Sequence, residues 1–206
     1  KQGFVKVASA TPRIRVADPV YNAQVICEQA KEAAEHGAKI VVFPELCITG
    51  YTCNDLFLQE LLLEKAKEAL LTIAEETGQL ETLFLVGLPV DKDGRLYNVA
   101  AVLYRGRILG MIPKKNIPMY AEFYEGRHFT PGEETVTEYR LGKQVIPFGS
   151  NLLFRCEELP ELILGCELCE DLWVAEPPST SHALMGATVI ANLSASNETV
   201  SKDDYR

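Results

Sequence analysis

The chain has 206 residues, of which 47% are apolar and 24% charged, as in a soluble globular protein of one domain or two small ones. A formal net charge of −9 argues against nucleic acid as the main partner, because phosphate binding requires clustered Lys and Arg. No apolar run approaches the ~18 residues that span a bilayer, and the first residues lack the apolar core of a signal peptide, so we expect a cytoplasmic protein without a membrane partner.

The first part of the chain alternates strands and helices. Asp18 can cap a first helix that begins at Pro19 and ends at Gly37. A second helix is predicted from Leu56 to about Thr77, with Asn54 and Asp55 as its cap. The strands predicted in this part are residues 4–10, 40–43 and 83–89.

The second part of the chain consists mainly of hairpins. The strands predicted here are residues 96–104, 108–112, 135–140, 144–148, 152–156, 161–168 and 188–194, with a short helix over residues 179–185. Between residues 113 and 133 no periodicity holds, and the segment is rich in proline and aromatic residues. A loop of this length inside a compact domain is either functional or disordered, and the aromatic content favours an active-site loop.

Three residues with reactive or charged side chains lie at or shortly after the ends of apolar runs. Glu45 follows residues 41–44, Lys114 follows residues 111–113, and Cys169 comes shortly after the apolar run that ends at Gly165. Charged groups at the ends of buried strands are costly unless they are paired or used. A thiol nucleophile needs a base for its proton and a cation for the developing oxyanion. We therefore predict a Cys-Glu-Lys amidase site, in which burial raises the pKa of Glu45.

The residues leave other uses of the cysteines open. The chain has six, which in a cytosolic protein are more often free thiols than disulfides. Cys166 and Cys169 have the spacing of a redox or zinc half-site, although the other cysteines are scattered. A Cys-His dyad through His128 or His182 is a further alternative. The sequence contains no G-x-S-x-G motif, no G-x-G-x-x-G motif and no P-loop, so no nucleotide site is predicted.

Longer motifs identify a family. They are Phe43-Pro44-Glu45-Leu46 with Gly50-Tyr51, Pro113-Lys114-Lys115-Asn116-Ile117-Pro118 with Tyr120 and Glu122-Phe123-Tyr124-Glu125, Cys169-Glu170-Asp171-Leu172-Trp173, and Asn192-Leu193-Ser194-Ala195-Ser196. With these motifs the chain resembles the nitrilase, or carbon-nitrogen hydrolase, superfamily, and within it the N-terminal glutaminase domains of glutamine-dependent NAD⁺ synthetases. The resemblance implies an α/β fold, an α-β-β-α sandwich of two mixed sheets, incomplete at its C-terminal side.

The resemblance also implies roles for individual residues. Glu45 would be the general base, Lys114 the cation and Cys169, rather than Cys166, the nucleophile, with no metal. An additional acid near this triad would be Glu125 or Glu122. The implied contacts to glutamine are Tyr120, Ser196 and Lys202, with Glu170 and Tyr51 as further lining residues.

By the same resemblance, residues 1–206 would form one incomplete glutaminase domain of a homo-oligomeric enzyme. It would use no cofactor and would pass ammonia from L-glutamine to a synthetase domain absent from this chain. That domain would use ATP and Mg²⁺ to amidate deamido-NAD⁺. The alternatives are a stand-alone amidase or N-carbamoyl hydrolase and a catalytically silent assembly or regulatory domain.

Overall fold

The computed structural model describes residues 3–205, except for the side chains of Asp203 and Tyr205. The outer limits of the predicted domain, residues 1, 2 and 206, lie outside the described residues. The strands are β1 Val7–Ser9, β2 Ile40–Val42, β3 Leu83–Lys92, β4 Arg95–Tyr104, β5 Arg107–Pro113, β6 Thr137–Leu141, β7 Gln144–Phe148, β8 Leu153–Arg155, β9 Ile163–Leu168 and β10 Val189–Leu193. The α-helices are α1 Pro19–Glu35, α2 Glu60–Glu76, α3 Pro178–Leu184 and α4 Lys202–Tyr205, and 3₁₀ segments cover Tyr51–Leu58, Glu125–Arg127 and Cys169–Trp173.

The strands form two sheets. The larger has the order β1-β2-β3-β4-β5-β7-β6, with parallel pairing among β1, β2 and β3 and antiparallel pairing from β3 through β5. The smaller has the order β10-β9-β8, in which β9 is parallel to β10 and antiparallel to β8. Both sheets are therefore mixed, as predicted.

Two apolar cores define the layers. In one, Ile26 of α1 and Leu70 of α2 belong to the same buried cluster as Phe84 of β3, so both helices cover one face of the larger sheet. In the other, Leu85 of β3 clusters with Leu164 of β9, so the two sheets pack face to face. Burying each such side chain contributes about 1.5–3 kcal/mol.

The fourth layer is the helix α3. The buried ring of His182 in α3 lies so close to Gly165 of β9 that a Cβ there would be 2.8 Å from Nδ1. This contact places α3 on the smaller sheet, and the α-β-β-α sandwich is confirmed. Within residues 3–205, no helix is both long and apolar enough to cross a membrane.

The start of the second helix differs from its prediction. Asp18 does cap α1, since its carboxylate accepts a hydrogen bond from the N–H of Tyr21 at 3.1 Å. In contrast, α2 begins at Glu60 with Gln59 in the cap position, and Asn54 (φ 50°, ψ −132°) has a non-helical backbone inside the preceding 3₁₀ segment. Tyr51 and Asp55 of this segment bond to residues far along the chain, and these tertiary contacts prevail over local capping.

Gly87 of β3 lets two backbone segments pass in contact. A Cβ at Gly87 would lie 2.3 Å from the nitrogen of Leu46 and 2.7 Å from the carbonyl oxygen of Pro44. The N–H of Ile48 donates to the carbonyl oxygen of Gly87 at 3.1 Å. The turn that carries Glu45 is thus seated directly on the backbone of β3.

Replacing Gly87 with Ala should destabilise the protein by about 3 kcal/mol, because the added methyl group overpacks a buried backbone contact. Gly142→Ala is the matched control: that residue has φ +58° but open space around its Cβ, so only the left-handed strain of about 1–2 kcal/mol applies. Urea unfolding of both variants measures the difference. Equal losses of unfolding free energy would contradict this account of Gly87.

Candidate active site

Glu45 lies in a tight turn just beyond β2. The next residue, Leu46, has φ 53°, a strained value that turns the chain back. The carboxylate is 1% exposed and accepts three hydrogen bonds. Oε1 accepts from Lys114 Nζ at 2.7 Å and from Asn98 Nδ2 at 2.8 Å, and Oε2 accepts from the N–H of Ala195 at 3.1 Å.

Lys114 follows directly on β5 and is completely buried. Its backbone N–H donates to the carbonyl oxygen of Asn98 at 2.8 Å, which extends the β4–β5 pairing. Nζ donates to Glu45 Oε1 and to Glu125 Oε1, both at 2.7 Å. One ammonium is therefore shared between two buried carboxylates.

The choice between Glu122 and Glu125 is decided by burial. Glu122 is exposed, whereas Glu125 is 5% exposed. Glu125 Oε1 also accepts a hydrogen bond from the Tyr51 hydroxyl at 2.8 Å. The second acid of the cluster is therefore Glu125.

Asn98 of β4 is a site residue that the sequence analysis missed. It is fully buried, and its Nδ2 donates to Glu45 Oε1 and, at 3.4 Å, to Glu125 Oε2. Its neutral amide group therefore donates hydrogen bonds to both acids. A signal was present, since Asn98 is a polar residue at the head of the apolar run from Val99 to Leu103.

Cys169 lies at a sharp turn between β9 and the 3₁₀ segment that follows. Its φ is 42°, a left-handed conformation that costs of order 1–3 kcal/mol and clusters at functional sites. Cys169 is 7% exposed, and Cys166, in the middle of β9, is fully buried. Of the two cysteines, Cys169 is the one at a strand end and Cys166 is part of the inter-sheet core.

Asp171, which the sequence analysis also missed, holds the Cys169 turn. Its buried carboxylate accepts from the N–H of Leu168 at 3.1 Å. It also accepts from the N–H and the Nδ2 of Asn116 at 2.7 and 2.8 Å. The turn of Cys169 is thereby joined to the segment just after Lys114.

The pKa values of the cluster follow from burial and from its charges. Burial raises the pKa of Glu45, Glu125 raises it further, and Lys114 opposes both. Burial alone would lower the pKa of Lys114, but the two carboxylates raise it above its ordinary value, so the ammonium stays charged. Burial and then Glu45 raise the pKa of Cys169 to about 11, while Lys114, the Ser194 hydroxyl and the N–H of Ala195 lower it. At neutral pH the cysteine is a thiol.

The residues expected to contact glutamine form two pairs. The Tyr120 hydroxyl donates to Glu170 Oε2 at 2.7 Å, and Glu170 directly follows Cys169 in the chain. Lys202 Nζ donates to Ser196 Oγ at 3.0 Å, and Ser196 directly follows Ala195, whose N–H donates to Glu45. The structure thus places one pair next to Cys169 and the other next to the backbone N–H that binds Glu45. Tyr51, by contrast, is bonded to Glu125.

The two histidines of the dyad alternative are bonded to other groups. His128 Nε2 lies 3.0 Å from Asp55 Oδ1. His182 Nε2 lies 3.0 Å from the carbonyl oxygen of Ser150. Among residues 3–205 no group of three or more His, Cys, Asp or Glu side chains is placed to hold a metal ion.

The chain is similar to parts of several larger enzymes. It is 41% identical over its whole length to the glutamine-dependent NAD(+) synthetase of Mycobacterium tuberculosis, of which it covers 30%. The crystal structure of a glutamine-dependent NAD(+) synthetase from Cytophaga hutchinsonii superposes with a TM-score of 0.87 at 29% identity, covering 98% of this chain and 32% of that one. An amidase from Nesterenkonia sp., at 21% identity and a TM-score of 0.69, shares the fold over 97% of this chain and 68% of its own. The chain spans about a third of the length of the curated relatives it matches.

The family model of the carbon-nitrogen hydrolases matches residues 6–204. That range includes the turn of Glu45, the end of β5 and the turn of Cys169. The chain therefore belongs to the carbon-nitrogen hydrolase family.

Proposed function

We propose that this chain hydrolyses the side-chain amide of L-glutamine through a thioester on Cys169. The observation that carries the proposal is the buried ammonium of Lys114, shared by Glu45 and Glu125 beside the strained turn of Cys169. A thiol, a carboxylate of raised pKa and a buried cation can supply the nucleophile, the proton acceptor and the oxyanion stabilisation for cysteine-dependent amide hydrolysis.

The first half of the reaction forms the thioester. Cys169 Sγ attacks the amide carbon while its proton passes to Glu45, whose raised pKa suits it to accept that proton. The oxyanion is stabilised by Lys114 and by the backbone N–H of Glu170. An ammonium has three N–H donors, so with two given to carboxylates the third can serve the oxyanion. The tetrahedral intermediate collapses, Glu45 returns the proton to the leaving nitrogen, and ammonia departs.

The second half hydrolyses the thioester. Glu45 takes a proton from a water molecule, whose oxygen attacks the thioester carbon. The same two donors stabilise the second oxyanion, and the C–S bond breaks as the proton returns to sulfur. Glutamate leaves and the thiol of Cys169 is restored.

Four side chains near these groups suit the recognition of an amino acid. Glu170 and the Tyr120 hydroxyl offer oxygen atoms for the α-ammonium group of glutamine. For its α-carboxylate, the Ser196 hydroxyl offers an O–H donor and Lys202, which also donates to Asn197, offers a positive charge. Tyr51 lines the site through Glu125 rather than by direct contact. Opposite charges at two separate places would favour a zwitterionic substrate over a simple amide or nitrile.

The ammonia would serve a second reaction in a longer protein. The relatives of Mycobacterium tuberculosis and Cytophaga hutchinsonii are named glutamine-dependent NAD(+) synthetases and are about three times as long as this chain. We propose that this chain supplies ammonia to a synthetase domain that amidates deamido-NAD⁺ with ATP and Mg²⁺. Free ammonia is mostly protonated at neutral pH, which favours its internal transfer.

A chloroketone analogue of glutamine should label Cys169 and no other cysteine, since a substrate-like electrophile is delivered to the nucleophile. Mass mapping of the modified peptide identifies the site, and glutamine should protect it. Cys169→Ser should abolish labelling, while Cys166→Ser, altering a buried core thiol, is the matched control that should still be labelled.

An adduct on Cys166 or Cys47 would overturn the assignment of the nucleophile. Turnover of nitriles or N-carbamoyl compounds in preference to glutamine would instead favour the stand-alone amidase. Labelling without turnover of any of these substrates would favour a silent assembly domain.

Glu45→Gln should lower the pKa of Cys169 from about 11, because the Glu45 charge is one of the causes that raise it. The pH profile of alkylation by iodoacetamide should therefore move to lower pH, while glutamine hydrolysis falls about 10²–10⁴-fold with the loss of the base. Gln keeps an oxygen that can accept from Lys114. Glu122→Gln, at an exposed acid, is the control and should leave the profile in place. A profile that moves to higher pH in Glu45→Gln would contradict the electrostatic account.

A further inference from the structure

The segment that carries Glu125 is also held from outside the active site. Arg127 donates from Nε to Asp55 Oδ1 at 2.6 Å and from Nη2 to Asp55 Oδ2 at 2.8 Å. His128 Nε2 lies 3.0 Å from the same Oδ1. We call this set of contacts, among Asp55, Arg127 and His128, the Asp55 clasp.

The Asp55 clasp joins the same two segments that the active site joins. Tyr51, on the same 3₁₀ segment as Asp55, donates to Glu125 at 2.8 Å. Phe57, also on that segment, packs edge-on against the rings of His128 and Phe129, with centroids 5.8 and 5.0 Å apart. Residues 51–57 therefore contact residues 125–129 at three successive places.

The contacts of the Asp55 clasp are better suited to orienting the side chain of Arg127 than to stabilising the fold. Asp55 has a side chain that is 59% exposed, and exposed ion pairs contribute only about 0–1 kcal/mol to folding. A two-point contact between a guanidinium and a carboxylate, however, fixes direction as well as distance. Arg127 first and then His128 lower the pKa of Asp55 below its ordinary value, so the carboxylate stays charged at neutral pH.

The backbone transmits this orientation to Glu125. The N–H groups of His128 and Phe129 both donate to the carbonyl oxygen of Glu125, at 2.9 and 2.8 Å. A backbone shift at Arg127 or His128 would be passed on through these bonds to Glu125, whose carboxylate holds Lys114 at 2.7 Å. Asp55 is linked to Glu125 through Arg127 and His128, whose side chains it binds.

We propose that Asp55 is a positioning residue, which acts through Arg127 and His128 to fix Glu125 and so aims the ammonium of Lys114 at the oxyanion. This inference rests on the proposed glutaminase function. A misplacement of about 1 Å in such a group can cost up to about 10²-fold in rate. The two pairs proposed to bind the charged groups of glutamine, Tyr120 with Glu170 and Ser196 with Lys202, lie outside the clasp, so the loss should fall on kcat and not on KM.

The test compares Asp55→Ala and Asp55→Asn with Glu81→Gln in the whole natural protein. Glu81 is the matched control, because it forms an exposed ion pair with Arg105 at 2.6 Å. Glutamate release should show a fall in kcat of about tenfold or more for Asp55→Ala, with KM within about twofold. Asp55→Asn keeps one oxygen that can accept from Arg127 and should rescue part of kcat, and Glu81→Gln should match the wild type. Urea unfolding should give Asp55→Ala and Glu81→Gln similar stabilities.

The outcomes separate the two ideas. If the wild type does not release glutamate from glutamine, the proposed function fails and the role of the clasp fails with it. If the wild type is active but Asp55→Ala has the wild-type kcat, the positioning role alone is overturned. A rise in KM at constant kcat, or a loss of kcat that matches a loss of folded protein, also overturns it.

Discussion

The buried ammonium of Lys114 between Glu45 and Glu125 is the interaction on which the site depends. Taking an ion out of water costs several kcal/mol, and removing one partner of a buried pair costs about 3–5 kcal/mol because the remaining charge is unpaired. The three residues come from the turn after β2, the end of β5 and a 3₁₀ segment in the long loop. The ion pairs therefore join these three segments to one another, and removing one partner would leave a buried charge unpaired.

The sandwich brings the residues of the candidate site together at the ends of its strands. Glu45 follows β2, Cys169 follows β9 and Ala195 follows β10, and parallel strands present their carboxyl ends on the same side of a sheet. The apolar core between the sheets, which includes Leu85 and Leu164, fixes the distance between these ends. Close packing of this kind transmits small shifts, so the site inherits the rigidity of the core.

The sequence was enough to predict most strands and the three residues at strand ends, because apolar runs and the polar residues that end them are local signals. It predicted the start of the second helix wrongly, since Asn54 and Asp55 have the composition of a cap, but Asn54 has a non-helical backbone and Asp55 bonds to Arg127. Asn98 and Asp171 were missed for a related reason. Asn98 bonds to Glu45, 53 residues away, and Asp171 bonds to Asn116, 55 residues away, and a polar residue next to an apolar run does not specify such distant partners.

Burial and the neighbouring Glu45 favour the thiol form of Cys169, because they raise its pKa. A thiol with a pKa of about 11 holds its proton at neutral pH, and thiolates rather than thiols are oxidised and alkylated. Lys114 and the donors at Ser194 and Ala195 lower this pKa, because they favour negative charge on sulfur. In the proposed mechanism the proton would leave for Glu45 in concert with attack on the substrate, so the same arrangement would both activate Cys169 and protect it between turnovers.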